Sequence, residues 1–92
     1  MAIVTLRYWA AAKEAAGIAE ETISAETLAE ALAAAQGKAE DDVATGQNPR
    51  LRAVLARSSF LIDGTPVGSR APETVLLSDA AVIEVLPPFA GG

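Results

Sequence analysis

The chain contains no cysteine and no histidine. Without thiol or imidazole, the usual zinc, iron–sulfur and haem ligand sets cannot form, so no metal site is expected. Ser-His-Asp and Cys-His nucleophile systems are excluded on the same ground. No disulfide can staple the fold, which fits a cytoplasmic protein. Lysine and arginine are scarce, 7 against 12 acidic residues, for a net charge of -5. The clustered cations that bind a phosphate backbone are therefore missing, and no nucleic-acid partner is expected. No apolar run approaches the roughly 18 residues of a membrane span. Arg7 interrupts the apolar start "MAIVTLRYW", so neither a signal peptide nor a membrane association is expected. Aromatics are limited to one Trp, one Tyr and two Phe, which leaves a modest core built mainly from aliphatic side chains and alanine.

What is present is one domain's worth of chain: 92 residues, 51% hydrophobic and 21% charged, an ordinary globular composition. "AIVTLRYW" alternates and is rich in strand formers. It places Val4, Leu6 and Tyr8 on one face and Thr5, Arg7 and Trp9 on the other, with Trp9 packing at the strand's end. "AAAKEAAG" reads as a short helix closed by Gly17. "EETIS" reads as a brief strand at a sheet edge. Ser24 is the expected N-cap of a helix over about Ala25 to Gln36, with Glu26 in its first turn. Leu28, Ala31, Leu32 and Ala35 face inward and Gly37 ends it. "KAEDDVATGQ" is a polar loop, and its Glu40, Asp41 and Asp42 read as solvated acids, because three adjacent residues cannot all face one cation. Asn48-Pro49 starts a helix with Leu51, Val54 and Leu55 inward. Its Arg50, Arg52 and Arg57 read as a solvated face. "SSFLIDGTPV" is a hairpin whose Asp63-Gly64 supplies two positive-φ residues. "TVLL", a turn at "SDA" and a last strand over about Ala81 to Leu86 complete the order.

The first and last strands are the most apolar, so they belong side by side at the sheet's centre, with antiparallel hairpins flanking them. A mixed sheet with a helix packed across one face is an α+β roll, the β-grasp of ubiquitin-like proteins. This predicts a domain over residues 1–86 and an extended functional tail over 87–92.

The tail, "PPFAGG", carries the chemistry. Pro87 and Pro88 cannot continue a ladder and hold polyproline φ, giving a stiff stalk. The six residues from Pro87 to Gly92 reach roughly 20 Å. Phe89 is the one bulky group on it. Gly91 and Gly92 lack Cβ atoms, so the terminal carboxylate can enter a narrow channel. A carboxylate is a poor acyl donor until ATP converts it to an acyl-adenylate, from which a nucleophile displaces AMP. A sulfur nucleophile gives a thiocarboxylate, and an amine gives an isopeptide. A cysteine-free chain fits the first, since sulfur could be carried only at the chain end. Leu86 could pack on its own domain. Alternation from inward Ile83 and Val85 instead turns Glu84 and Leu86 to the other face, where Leu86 and Phe89 together form a docking patch.

On "VTLRYWAAAKEAAG", "FLIDGTPV" and "VIEVLPPFAGG" the chain resembles, over its whole length, the MoaD/ThiS family of ubiquitin-like sulfur carriers. The similarity is greatest to the branch of molybdopterin synthase small subunits. That branch typically ends in a hydrophobic pair, Pro-Pro, two small or apolar residues, then Gly-Gly. It usually has Gly-Asp before its last strand, where this chain has Ala80-Ala81. The resemblance implies that Gly92 is adenylated by an E1-like adenylyltransferase using ATP, with no cofactor held by the carrier itself. It implies thiocarboxylation with sulfur from a sulfurtransferase or desulfurase. Pro87, Pro88, Phe89, Ala90 and Gly91 would then insert into a MoaE-like large subunit of molybdopterin synthase, on which the catalytic residues lie. Two alternatives stay open. One is a sulfur carrier for thiamine thiazole, cysteine or a thiolated metabolite, although thiazole carriers usually lack a segment like Lys38 to Arg57. The other is a ubiquitin-like modifier joined through Gly92 to lysines.

Overall fold

The computed structural model describes residues 2–36 and 48–88. The loop over 38–47, Gly37 as a helix stop, and tail residues Phe89, Ala90, Gly91 and Gly92 lie outside the described residues.

Strand β1 spans Ala2–Tyr8, with Val4, Leu6 and Tyr8 buried as the alternation requires. Trp9 is extended and leads into helix α1, Ala10–Ala16. Gly17 closes that helix in the left-handed region, φ 76, and its N–H donates to the Lys13 carbonyl, a position that suits a residue without Cβ. Strand β2, Glu20–Ala25, returns antiparallel to β1 at the sheet edge.

Helix α2 is shorter than expected, Leu28–Ala34, and starts later. Ser24 is not its cap, because β2 continues through it and pairs it with Ile3. Thr27 caps instead: its hydroxyl accepts from the Glu30 N–H at 3.2 Å, and the Glu30 carboxylate accepts from the Glu26 N–H at 2.8 Å. This is a capping box whose return bond falls one residue upstream of the cap. The helix runs out in alanine, with Ala35 already extended. Its last carbonyls are met from outside. The Arg52 guanidinium donates to the Leu32 carbonyl at 3.3 Å and the Ala33 carbonyl at 2.5 Å. Arg52 is therefore not a merely solvated side chain; it places a cation on the negative end of α2.

Helix α3, Pro49–Leu55, begins where Asn48-Pro49 predicts, and Leu51, Val54 and Leu55 are buried. The Asn48 carboxamide caps α3 by accepting from the Leu51 N–H and ties it to α1 by donating to the Ala15 carbonyl at 3.0 Å. Strands β3, Ser59–Ile62, and β4, Thr65–Pro66, form the expected hairpin, with Asp63 and Gly64 at φ 50 and 85. A 3-10 turn covers Pro72–Thr74, Val75 is buried, and a single bridge joins Leu76 to Thr27. Strand β5 is Val82–Leu86.

The sheet order is β2-β1-β5-β3-β4, with β1 and β5 parallel and the other neighbours antiparallel. On its inner face Leu6, Tyr8, Ile83 and Val85 join Ala12, Leu28, Ala31 and Leu51 of the helices in one core. The central pair, the mixed sheet and the covering helices make the β-grasp roll.

Candidate functional site

Because β5 is central, the segment that follows it leaves from a strand bonded on both sides. Thr5 to Tyr8 of β1 pair in parallel with Val82 to Val85, and Ser59 to Ile62 of β3 pair antiparallel with Leu86 to Ile83. The start of β5 is fixed as firmly. The Asp63 carboxylate accepts from the Val82 N–H at 3.0 Å, and the Asp63 N–H donates to the Val82 carbonyl at 2.9 Å. Upstream, the Ala80 N–H donates to the Ile3 carbonyl while the Asp79 carboxylate accepts from the Ile3 N–H. These two bonds clasp the turn where Ala80-Ala81 replaces the expected Gly-Asp. Ala80 sits there at φ 69, in the left-handed region that favours glycine.

Ile83 and Val85 are fully buried, and Glu84 and Leu86 are half-buried on the opposite face. Pro87 is half-buried and Pro88 is exposed, so exposure rises across the proline pair. Leu86 pairs in register with Ser59. The β1–β5 ladder ends at the Tyr8–Val85 pair, which Trp9 follows on one strand and Leu86 on the other. Trp9 is 42% exposed, with the Arg7 guanidinium 5.2 Å from its ring centroid. Arg7 in turn lies 4.0 Å from the Glu20 carboxylate. This cluster was not singled out in the sequence, although the alternation that buries Tyr8 also sends Arg7 and Trp9 to the outer face.

On the inner side of the same strand end, the Tyr8 phenol donates to the Glu21 carboxylate, which also accepts from the Gln36 N–H just beyond α2. Burial raises the Tyr8 pKa, and the hydrogen bond to Glu21 and its negative charge raise it further. The phenol stays protonated well into the alkaline range and pins β1, β2 and the end of α2 together. Among the described residues no cluster of three His, Cys, Asp or Glu side chains is placed to hold a metal ion, and no helix is long and apolar enough to cross a membrane.

The geometry is that of a ubiquitin-like domain whose central strand β5 runs out into the Pro87-Pro88 pair. The ThiS family model matches residues 6–92, and the chain belongs to the ThiS family, a group of sulfur carriers and ubiquitin-like small modifiers. Among solved structures it is similar to small archaeal modifier protein 1 from Methanosarcina acetivorans, at 26% identity and a TM-score of 0.77, covering 100% of this chain and 98% of that one. It is also similar to a chain in the complex of subunits 1 and 2 of the molybdopterin-converting factor from Helicobacter pylori. That match has 26% identity and a TM-score of 0.64, covering 98% of this chain and 99% of that one. Small archaeal modifier protein 1 from Haloferax volcanii shares the fold at 18% identity and a TM-score of 0.69, with 98% and 99% covered. Among curated proteins no sequence matches the chain.

Proposed function

We infer that this chain is a sulfur carrier that works as the small subunit of a molybdopterin synthase in the cytoplasm. An E1-like adenylyltransferase joins the Gly92 carboxylate to the adenylyl group of ATP, releasing pyrophosphate. The persulfide of a sulfurtransferase or desulfurase then displaces AMP to give an acyl disulfide, and a second thiol on that enzyme or in solution cleaves it, leaving the thiocarboxylate on Gly92 and a disulfide on the donor side. Pro87 to Gly91 carry that group into a MoaE-like large subunit, whose residues perform the transfer to the pterin. Leu86 and Phe89 dock the partner. The observation that carries this reading is the sequence "LPPFAGG" emerging from a doubly bonded central strand in a chain with no cysteine of its own. The similarity to a chain from a two-subunit molybdopterin-converting factor supports the choice of partner.

A second reading, a protein modifier joined through Gly92 to lysines, is favoured by the similarity to small archaeal modifier protein 1. The two part on intact mass. After incubation with the adenylyltransferase, ATP and a sulfur donor, the carrier reading expects one oxygen replaced by sulfur on the terminal peptide. Lysine conjugates without that gain favour the modifier. Adding one residue after Gly92, or deleting Gly92, moves the carboxylate by about 3.5 Å, outside the tolerance of a pre-organised site. Both variants should fold like the parent and lose pyrophosphate exchange. An extended chain activated as well as the parent would refute the role of Gly92.

A further inference from the structure

Beside the root of the stalk lies a hollow of about 240 Å³ lined by Arg7, Tyr8, Trp9, Lys13, Ala19 and Glu20. Its chemistry differs from that of the chain as a whole. The protein carries a net charge of -5, yet this hollow gathers two cations and an indole against one carboxylate. The indole is one of few large apolar side chains exposed among the described residues, and Arg7 lies over its ring. Ala10, the next residue, is held at φ 48, an unfavourable conformation for alanine, where β1 gives way to α1. Arg7 is loosely held: its 4.0 Å contact with Glu20 joins side chains that are 46% and 60% exposed. Exposed pairs of this kind contribute little and exchange partners readily.

Resting on the reading that an enzyme takes in the stalk, we propose that this hollow is a docking socket for an acidic side chain at the mouth of the activating enzyme's channel. Trp9 and Leu86 each follow directly on the last pair of the β1–β5 ladder, and Leu86 immediately precedes Pro87. A protein that encloses the stalk to its base must therefore bring the rim of its channel against this hollow. A carboxylate arriving there displaces Glu20 from Arg7, meets Lys13 across the hollow, and lays its methylene stem on the open part of the indole. The socket is continuous with the stalk, and its local charge is opposite to that of the carboxylate it receives.

The test uses the full chain and the E1-like adenylyltransferase of the same cell. Trp9 is the chain's single tryptophan, so a change in its emission reports arrival of the rim. Arg7→Glu and Trp9→Ala should each weaken binding about tenfold and raise KM for the carrier while kcat holds, the pattern of lost binding rather than lost chemistry. Glu20→Gln removes the competing carboxylate and should tighten binding, a gain that a damaged fold cannot mimic. Raising salt should weaken the parent more than Arg7→Glu. If all three variants bind like the parent while the chain extended beyond Gly92 stays inactive, the socket is refuted and the stalk reading stands. If Glu20→Gln weakens binding, the assigned charge exchange is wrong. If the parent is neither bound nor activated, the stalk reading and the socket fall together.

Discussion

Replacing Tyr8 with phenylalanine keeps the buried ring and deletes one hydroxyl, so it isolates the bond that this phenol donates to Glu21. A hydrogen bond to a charged group contributes about 1.5–3 kcal/mol. Glu21 is half-buried, and water can partly replace the phenol there, so the lower end applies. The expected loss at neutral pH is about 1.5 kcal/mol, or roughly 6–12 °C in Tm for a domain of this size. The pH dependence sharpens the test. The unfolded phenol titrates near 10.0, while burial and then Glu21 hold the folded one protonated far above that. Above pH 10 the unfolded chain therefore sheds a proton that the folded chain keeps. The bond's contribution, fully present below that pH, is lost as pH rises, at about 1.4 kcal/mol per unit. Parent and variant should converge near pH ~11 and then cross. Urea melts followed by circular dichroism at stepped pH measure the gap. Because Tyr8 is the only tyrosine, tyrosinate absorbance reads its ionisation directly. A phenol that ionises near pH 10 in the folded protein, or a gap independent of pH, would refute the reasoning.

Thr27→Ala should cost about 1 kcal/mol through loss of the α2 cap, while Ser24→Ala should change stability by no more than a few tenths; the opposite order in denaturant melts would return the cap to Ser24. Ala80→Gly should stabilise by about 0.5 kcal/mol, the relief of a left-handed alanine less the greater freedom of glycine in the unfolded chain. A shifted urea midpoint with an unchanged m-value is the expected signature, and a lower midpoint would contradict it. Arg52→Ala should cost about 1 kcal/mol and speed amide exchange in the last turn of α2, with Arg52→Lys recovering only part, because a point charge cannot fork between two carbonyls. Equal exchange in Arg52→Ala and the parent would show that those carbonyls need no cap.

Local chemistry made much of the fold legible. The alternation of Val4, Leu6 and Tyr8, the stop at Gly17, the Asn48-Pro49 start and the Asp63-Gly64 turn each act over a few residues, and each forms as the sequence suggests. The central pairing of β1 and β5 followed from their shared apolarity. The misses are choices between local options that distant contacts decide. Ser24 and Thr27 are both good caps, but pairing with β1 holds Ser24 in β2. The T-x-x-E spacing from Thr27 to Glu30 was the available signal. Arg52 reads as a surface charge until the end of α2 arrives beside it. At the site, the inward and outward faces of β5 were readable from periodicity. The gathering of Arg7, Trp9, Lys13 and Glu20 was not, because it needs the turn into α1 that folds Lys13 back over the strand.

The bonding of β5 has a mechanical consequence. A load applied at Pro87 along the strand axis is shared by the ladders to β1 and to β3 together. The hydrogen bonds are strained in parallel, in shear, and none can be peeled before its neighbours. A stalk rooted in β2 or β4, at either edge of the sheet, would let its strand unzip one bond at a time. Here a pull at Pro87 is met by both ladders at once, so the chain leaving β5 is anchored more firmly than a chain leaving either sheet edge would be.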